Sequence, residues 1–141
     1  MAFATLHDLP NNGFLGVSVA PAAQTATVNG AGVDCTVVDG PINAISQVGA
    51  AAGSPTSYTV TAKLQESDTS GGTYTDLATQ SSPGAQTAAG AVAIRGIRTK
   101  KFVRVVQTIA FVSGTSPTIA TSAIVIGQNR TFGLQPGASG Y

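Results

Sequence analysis

The densest group of acids in the chain lies in ESDTSGGTYTD, residues 66–76, where Glu66, Asp68 and Asp76 flank a run of Ser, Thr and Gly. Carboxylates grouped in this way suggest a calcium site, which needs about six to eight oxygens converging on one point. An EF-hand loop meets that need with acids at alternating positions and a closing Glu. Here the acids are too few and too far apart. The same residues are strong turn formers, because Asp and Ser bond their own backbone and Gly supplies positive φ. The segment is therefore expected to be a structural turn, with no metal. Glu66 and Asp76 do not make a glycosidase pair either, since opposed residues near a hairpin tip have no pocket between them.

The second constellation is basic. IRGIRTKKFVRVV places Arg95, Arg98, Lys100, Lys101 and Arg104 close together, five of the seven cationic residues. On a strand, Phe102, Arg104 and Val106 share one face while Lys101, Val103 and Val105 share the other, so the cations form no single stripe. Nucleic-acid binders pair such a patch with exposed aromatics and a high isoelectric point. This chain has no Trp and a pI near 7.9. Arg95, Arg98, Lys100 and Lys101, with Glu66 and Asp68, are instead candidates for electrostatic contacts at the rim of a protein interface.

Other chemistry is hard to build. His7 is the only histidine and falls near the chain start, next to Asp8. A catalytic triad needs its His on a rigid scaffold, and the sequence has no GxSxG elbow and no GxxxxGK[ST] phosphate loop. One His and one Cys cannot fill a zinc site. Cys35, the only cysteine, sits in VDCTVV and is expected to be a small buried hydrophobe. Neither an enzyme nor a bound cofactor is expected.

Composition points the same way. The chain has 141 residues, which suits one domain. Charged residues make up only 9%, against about 25% in an ordinary domain. Thr, Ser, Ala and Gly take their place, giving a surface that is easily desolvated. With a net charge of +1, no global field draws in nucleic acid or an anionic membrane. No apolar run approaches the roughly 18 residues that span a bilayer, and the N-terminus shows no secretory signal pattern.

The elements that must position these residues are strands. Helical periodicity is almost absent, and Gly and Pro separate short runs rich in Val, Ile, Thr, Tyr and Phe. Residues 24–28 and 33–38 read as two strands joined by the NGAG turn at 29–32. Residues 42–48 read as a strand or one helical turn. Ser57 to Glu66 alternates cleanly, with Tyr58, Val60, Ala62 and Leu64 on one face. Residues 73–80 are its expected return, and 87–94 a weaker strand. Residues 99–110 and 118–127 are the strongest strands, and FVSGTSP between them signals a hairpin. Seven or eight such strands imply an all-β, antiparallel β-sandwich of jelly-roll or immunoglobulin-like type. The expected division is an extended N-terminal arm at 1–21, a sandwich at 22–129 and a C-terminal tail at 130–141. Phe14, Leu15, Val17 and Val19 are candidates for one more strand within the arm.

Two resemblances add to this reading. The order Asp68, Gly71 or Gly72, Thr73, Tyr74 is similar, with an extra residue, to the Asp-box turn of sialidase-like propellers. That likeness implies a structural turn in which the Asp bonds backbone amides and the aromatic packs beneath. The wider pattern is SYTVTAKLQESDTSGGTYTDL, then AVAIRGIRTKKFVRVVQTIA, then SPTIATSAIVIGQ. In that order it resembles small structural proteins of tailed bacteriophages, often described as head decoration or cement proteins. The matching residues are Leu64, Glu66, Ser67 and Asp68, then Arg98 and Lys100 to Val106, Ser113 to Pro117, and Ser122 to Ile126. The resemblance implies a virion structural protein on the capsid surface. Its partners would be the major capsid protein and other copies of itself, as a trimer or dimer. Phe3, Leu6, Leu9, Phe14, Phe132, Leu134 and Tyr141 are then the candidate anchors for neighbouring subunits. The competing expectation is a tail or neck component, or a head-fibre adhesin that binds host glycans.

Overall fold

Alternating side chains give each strand an inner and an outer face, and Gly, Ser and Pro turn the chain between strands. In the computed structural model, which describes Pro10 and residues 13–129, this grammar produces eleven strands. Six are long: β1 (Gly13–Gln24), β4 (Val38–Ala52), β5 (Ser57–Ser67), β9 (Gly90–Ile97), β10 (Phe102–Val112) and β11 (Thr118–Asn129). Five are two-residue ladders: β2 (Val28–Asn29), β3 (Val33–Asp34), β6 (Thr75–Asp76), β7 (Thr79–Gln80) and β8 (Ala85–Gln86). The described chain is all-β. One antiparallel sheet has the order β1-β11-β4-β9-β7; the other runs β2-β10-β5-β6, with β3 also on β10 and β8 also on β5. The two sheets pack together as a sandwich.

Several local expectations change. The segments around NGAG are not a hairpin: β2 and β3 both pair with β10 and not with each other. The Gly30 amide bonds Val105 O and the Ala31 amide bonds Ser18 O, so the linker itself is held against neighbouring strands. The 42–48 segment is the middle of the fifteen-residue β4. The return of the 66–76 turn is short. β6 pairs with β5, but β7, three residues on, already pairs with β9 in the other sheet. β10 and β11 are not hairpin partners either. β10 lies against β5 and β11 lies between β1 and β4, so the 113–117 segment is a corner between sheets. The boundary expected at residue 21 falls inside β1, which pairs with β11 from Gly13 to Gln24.

That corner meets a second one. The β4–β5 connection carries Gly53 at φ 80° and Ser54 at φ 50°; the β10–β11 connection carries Ser113 at 59°, Gly114 at 100° and Ser116 at 45°. The Thr115 amide donates to Gly53 O and the Thr56 amide to Val112 O, both at 2.8 Å. A Cβ on Gly53 would stand 2.5 Å from Thr115 O and 2.7 Å from the Pro117 Cα. Both chain crossings therefore interlock at one pole of the sandwich.

The core has two apolar parts. The larger includes Ile42, Ala44, Leu64, Ile94, Val103, Val105, Ala123 and Val125; the smaller holds Val48, Val60, Ile109 and Ile119. Between them, at the intervening inward positions, lie Ser46, Gln107 and Thr121, all buried, with Gln86 beside them. Gln107 Nε2 donates to Ser46 Oγ at 2.8 Å and to Ser122 O at 3.1 Å. Gln107 Oε1 and Thr121 Oγ1 are buried without a protein partner among the described residues. Such a polar layer is unfavourable to bury unless its bonds are made, which favours one register of the two sheets over others.

Candidate functional site

The acids of the 66–76 turn do not converge. Glu66, expected at a rim, is only 5% exposed and its carboxylate is turned inward. Thr99 donates to it through its amide at 2.7 Å and its hydroxyl at 2.7 Å, and the Lys100 amide donates at 3.1 Å. Glu66 thus ties β5 to the loop before β10. Burial pushes its carboxyl pKa up, but these three bonds and the nearby Lys100 charge outweigh burial and hold it below the ordinary value. Asp76 lies on the outer face, accepting from Gln65 Nε2 at 2.8 Å and pairing with Lys63 at 2.9 Å. Asp68 is exposed at the turn. Among the described residues, no group of three His, Cys, Asp or Glu side chains gathers to hold a metal.

The turn closes on itself. The Gly72 amide donates to Thr69 O, and the Tyr74 hydroxyl donates to Ser70 O at 2.8 Å. Tyr74 touches the turn through that bond, and the acceptor for the Thr69 amide is Ser67 Oγ and not the Asp68 that the Asp-box likeness implied. Tyr74 also lies 4.3 Å under the Arg104 guanidinium and against Gly32, where a Cβ would overlap its hydroxyl. The turn is thereby folded down onto the sandwich.

The cations are scattered over different surfaces. Arg95 is exposed on the outer face of β9. Arg98 donates through its two Nη atoms to Lys100 O and Val38 O, and its Nε is buried. It stands in the wall of an open groove of about 480 Å³ with Val38, Asp39, Gly40, Pro41 and Ile97. With its Nη atoms committed to backbone carbonyls, Arg98 acts as a strut more than as a rim charge. Lys101 pairs loosely with Asp34 at 3.8 Å and lies 5.3 Å from the Phe102 ring. Arg104 donates to Gln65 Oε1 at 2.7 and 3.0 Å. Cys35 is fully buried, as its neighbours implied, and burial pushes its thiol pKa up to about 11.

The outer face of the β1-β11-β4-β9 sheet is of a different kind. Register aligns Val17, Ile124, Ile45 and Ala93 in one row and Leu15, Ile126, Asn43 and Arg95 in the next. Leu15 is 55% and Val17 51% exposed, and Ile45, Ile124 and Ile126 are half-buried. The outer face of the other sheet presents Lys63, Gln65, Arg104 and Asp76 instead. Of the candidate anchors, Phe14 is partly buried and packs against the core, so the outward residues of β1 are its neighbours Leu15 and Val17. Phe3, Leu6, Leu9, Phe132, Leu134 and Tyr141 lie outside the described residues, as does His7. A sequence signal for this face exists in AIVIG at 123–127: apolar residues on both faces of one strand mark a strand meant to be covered on both sides.

No protein-family model, curated protein or solved structure matches the chain.

Proposed function

We propose that this chain is a virion structural protein that decorates a tailed-bacteriophage capsid and cements it by bridging neighbouring major capsid protein subunits. The observation that carries the reading is the pairing of Gly13 with Gln128. It sets the start of β1 beside the end of β11 on neighbouring strands of one sheet. The sequence flanking these two strands, 1–12 and 130–141, holds six of the seven candidate anchors: Phe3, Leu6, Leu9, Phe132, Leu134 and Tyr141. On this reading the flanks engage neighbouring capsid subunits, and the second contact forms at high effective concentration. A protein that binds only the assembled shell stabilises it by mass action. The phage-like order of motifs over residues 57–128 and the low-charge surface support the same reading.

Cryo-EM of the intact particle tests it. The expected result is regular density for the sandwich over the capsid lattice, with one or both flanks lying across subunit borders. Density confined to a tail, neck or fibre overturns it.

A further inference from the structure

The AIVIG strand poses a question that the single chain leaves unanswered. Ala123 and Val125 face the core, while Ile124 and Ile126 face outward with Leu15, Val17 and Ile45 around them. Among the described residues only the inner side of this sheet is covered. We infer that the outer face of the β1-β11-β4-β9 sheet is the seat of a second copy of this chain, packed sheet to sheet about a twofold axis.

Three observations favour a second copy as the occupant. The first is charge. A twofold interface sets a patch against itself, so any charge at its centre meets a like charge. The two rows contain no acid, and their one cation, Arg95, stands at the far corner on β9. Self-apposition therefore sets no charge against its like at the centre of the face, and an oppositely charged partner finds only Arg95 to complement. The second is shape. Two sheets stack through interdigitated methyl groups at about 10 Å, and Leu, Val, Ile and Ala on a regular register supply such a surface. The third is area. Four strands at about 4.8 Å spacing and about 26 Å of common length give a face of roughly 500 Å² per copy, in which the hydrogen-bonded pair Gln47 and Ser122 borders the two rows. Two copies reach about 1,000 Å², the lower bound for a specific interface. The dimer is accordingly concentration-dependent. The inference is independent of the capsid reading, because it concerns the isolated chain.

Sedimentation equilibrium of the full chain, from micromolar to millimolar, tests it, with Val17→Asp and Ile124→Asp as variants and Thr108→Asp on the opposite sheet as control. Circular dichroism and thermal melts verify that each variant is folded. Wild type and Thr108→Asp are expected to move from 14.0 kDa to twice that mass as concentration rises. The two face variants are expected to weaken the dimer at least tenfold. Wild type that stays at the single-chain mass throughout, or face variants that dimerise as tightly as wild type, overturns the proposal. If both face variants unfold, crosslinking decides. A photo-crosslinker attached at Val17→Cys, in a mixture of isotope-labelled and unlabelled chains, is expected to join Val17 to β11 or β4 of a differently labelled copy. Crosslinks confined to residues 1–12 or 130–141 of the same chain make a flank the occupant and overturn it.

Discussion

Gln107 on β10 and Ser46 on β4 meet across the two sheets, with Gln107 Nε2 2.8 Å from Ser46 Oγ and both residues fully buried. The bond sits between two apolar clusters and ties one sheet to the other at the centre of the sandwich. Gln107→Ala removes this bond and the one to Ser122 O, and it leaves a cavity. A loss of about 2–4 kcal/mol in urea unfolding is expected. A double-mutant cycle with Ser46→Ala should show coupling of about 1 kcal/mol or more. Additive effects of the two substitutions would mean that the bond does not link the sheets energetically.

Glu66 makes stability depend on acid. Its carboxyl is held below the ordinary value in the folded chain. The contribution is thus fully present above the unfolded carboxyl value, about 4.3, and is lost as pH falls through the lowered folded value. Glu66→Gln keeps the shape but loses the charge that accepts from Thr99 and Lys100. At pH 7 it is expected to destabilise the fold by about 1–3 kcal/mol. The difference from wild type should shrink below about pH 4. An equal difference at pH 7 and pH 3 would contradict this role.

Gly53 stands at φ 80° with three backbone atoms of the opposite corner within 3 Å of its would-be Cβ. Gly53→Ala meets both the conformational penalty, about 1–2 kcal/mol, and a clash with backbone that cannot swing aside. It should lower the melting temperature by well over the roughly 3–4 °C that corresponds to 1 kcal/mol in a chain of this length. Gly84→Ala provides the comparison, since Gly84 also has positive φ but nothing near its Cβ position. It should show the conformational part alone.

Cys35 is buried and its thiol is pushed up to about 11. A maleimide or disulfide reagent at pH 8 should label the folded chain only as fast as it opens, and label it at once in denaturant. The raised value also has a sign. Its contribution is complete below the unfolded thiol value of about 8.5 and declines as pH rises through 11. Rapid stoichiometric labelling under native conditions would refute the burial.

Strand identity was legible where one face is core and the other solvent. Val60, Ala62 and Leu64 alternate with Thr59, Thr61 and Lys63, and the β5 assignment followed directly. Two-residue ladders carry no period of their own, so β2, β3, β6 and β7 read only as parts of longer expected strands at 24–28, 33–38 and 73–80, β8 was missed, and a count of seven or eight strands became eleven among the described residues. Glu66 misled for a related reason. An acid beside SDTSGG reads as surface, and only the return of Thr99 and Lys100 from thirty-three and thirty-four residues away makes it a buried acceptor.

The sequence alone determined that the chain is built of antiparallel strands and that Cys35 is a core residue. These follow from period and composition, which are local properties. The tertiary structure decided which strands are neighbours. Glycine- and proline-rich connections such as those at 53–55 and 113–117 serve hairpins and sheet-to-sheet corners alike, and the choice depends on which apolar faces can be buried together. That choice carried β10 and β11 into different sheets and placed Gln107 against Ser46. It also left Leu15, Val17, Ile45, Ile124 and Ile126 side by side on an outer face, because residues far apart in the chain become one surface only when register aligns them.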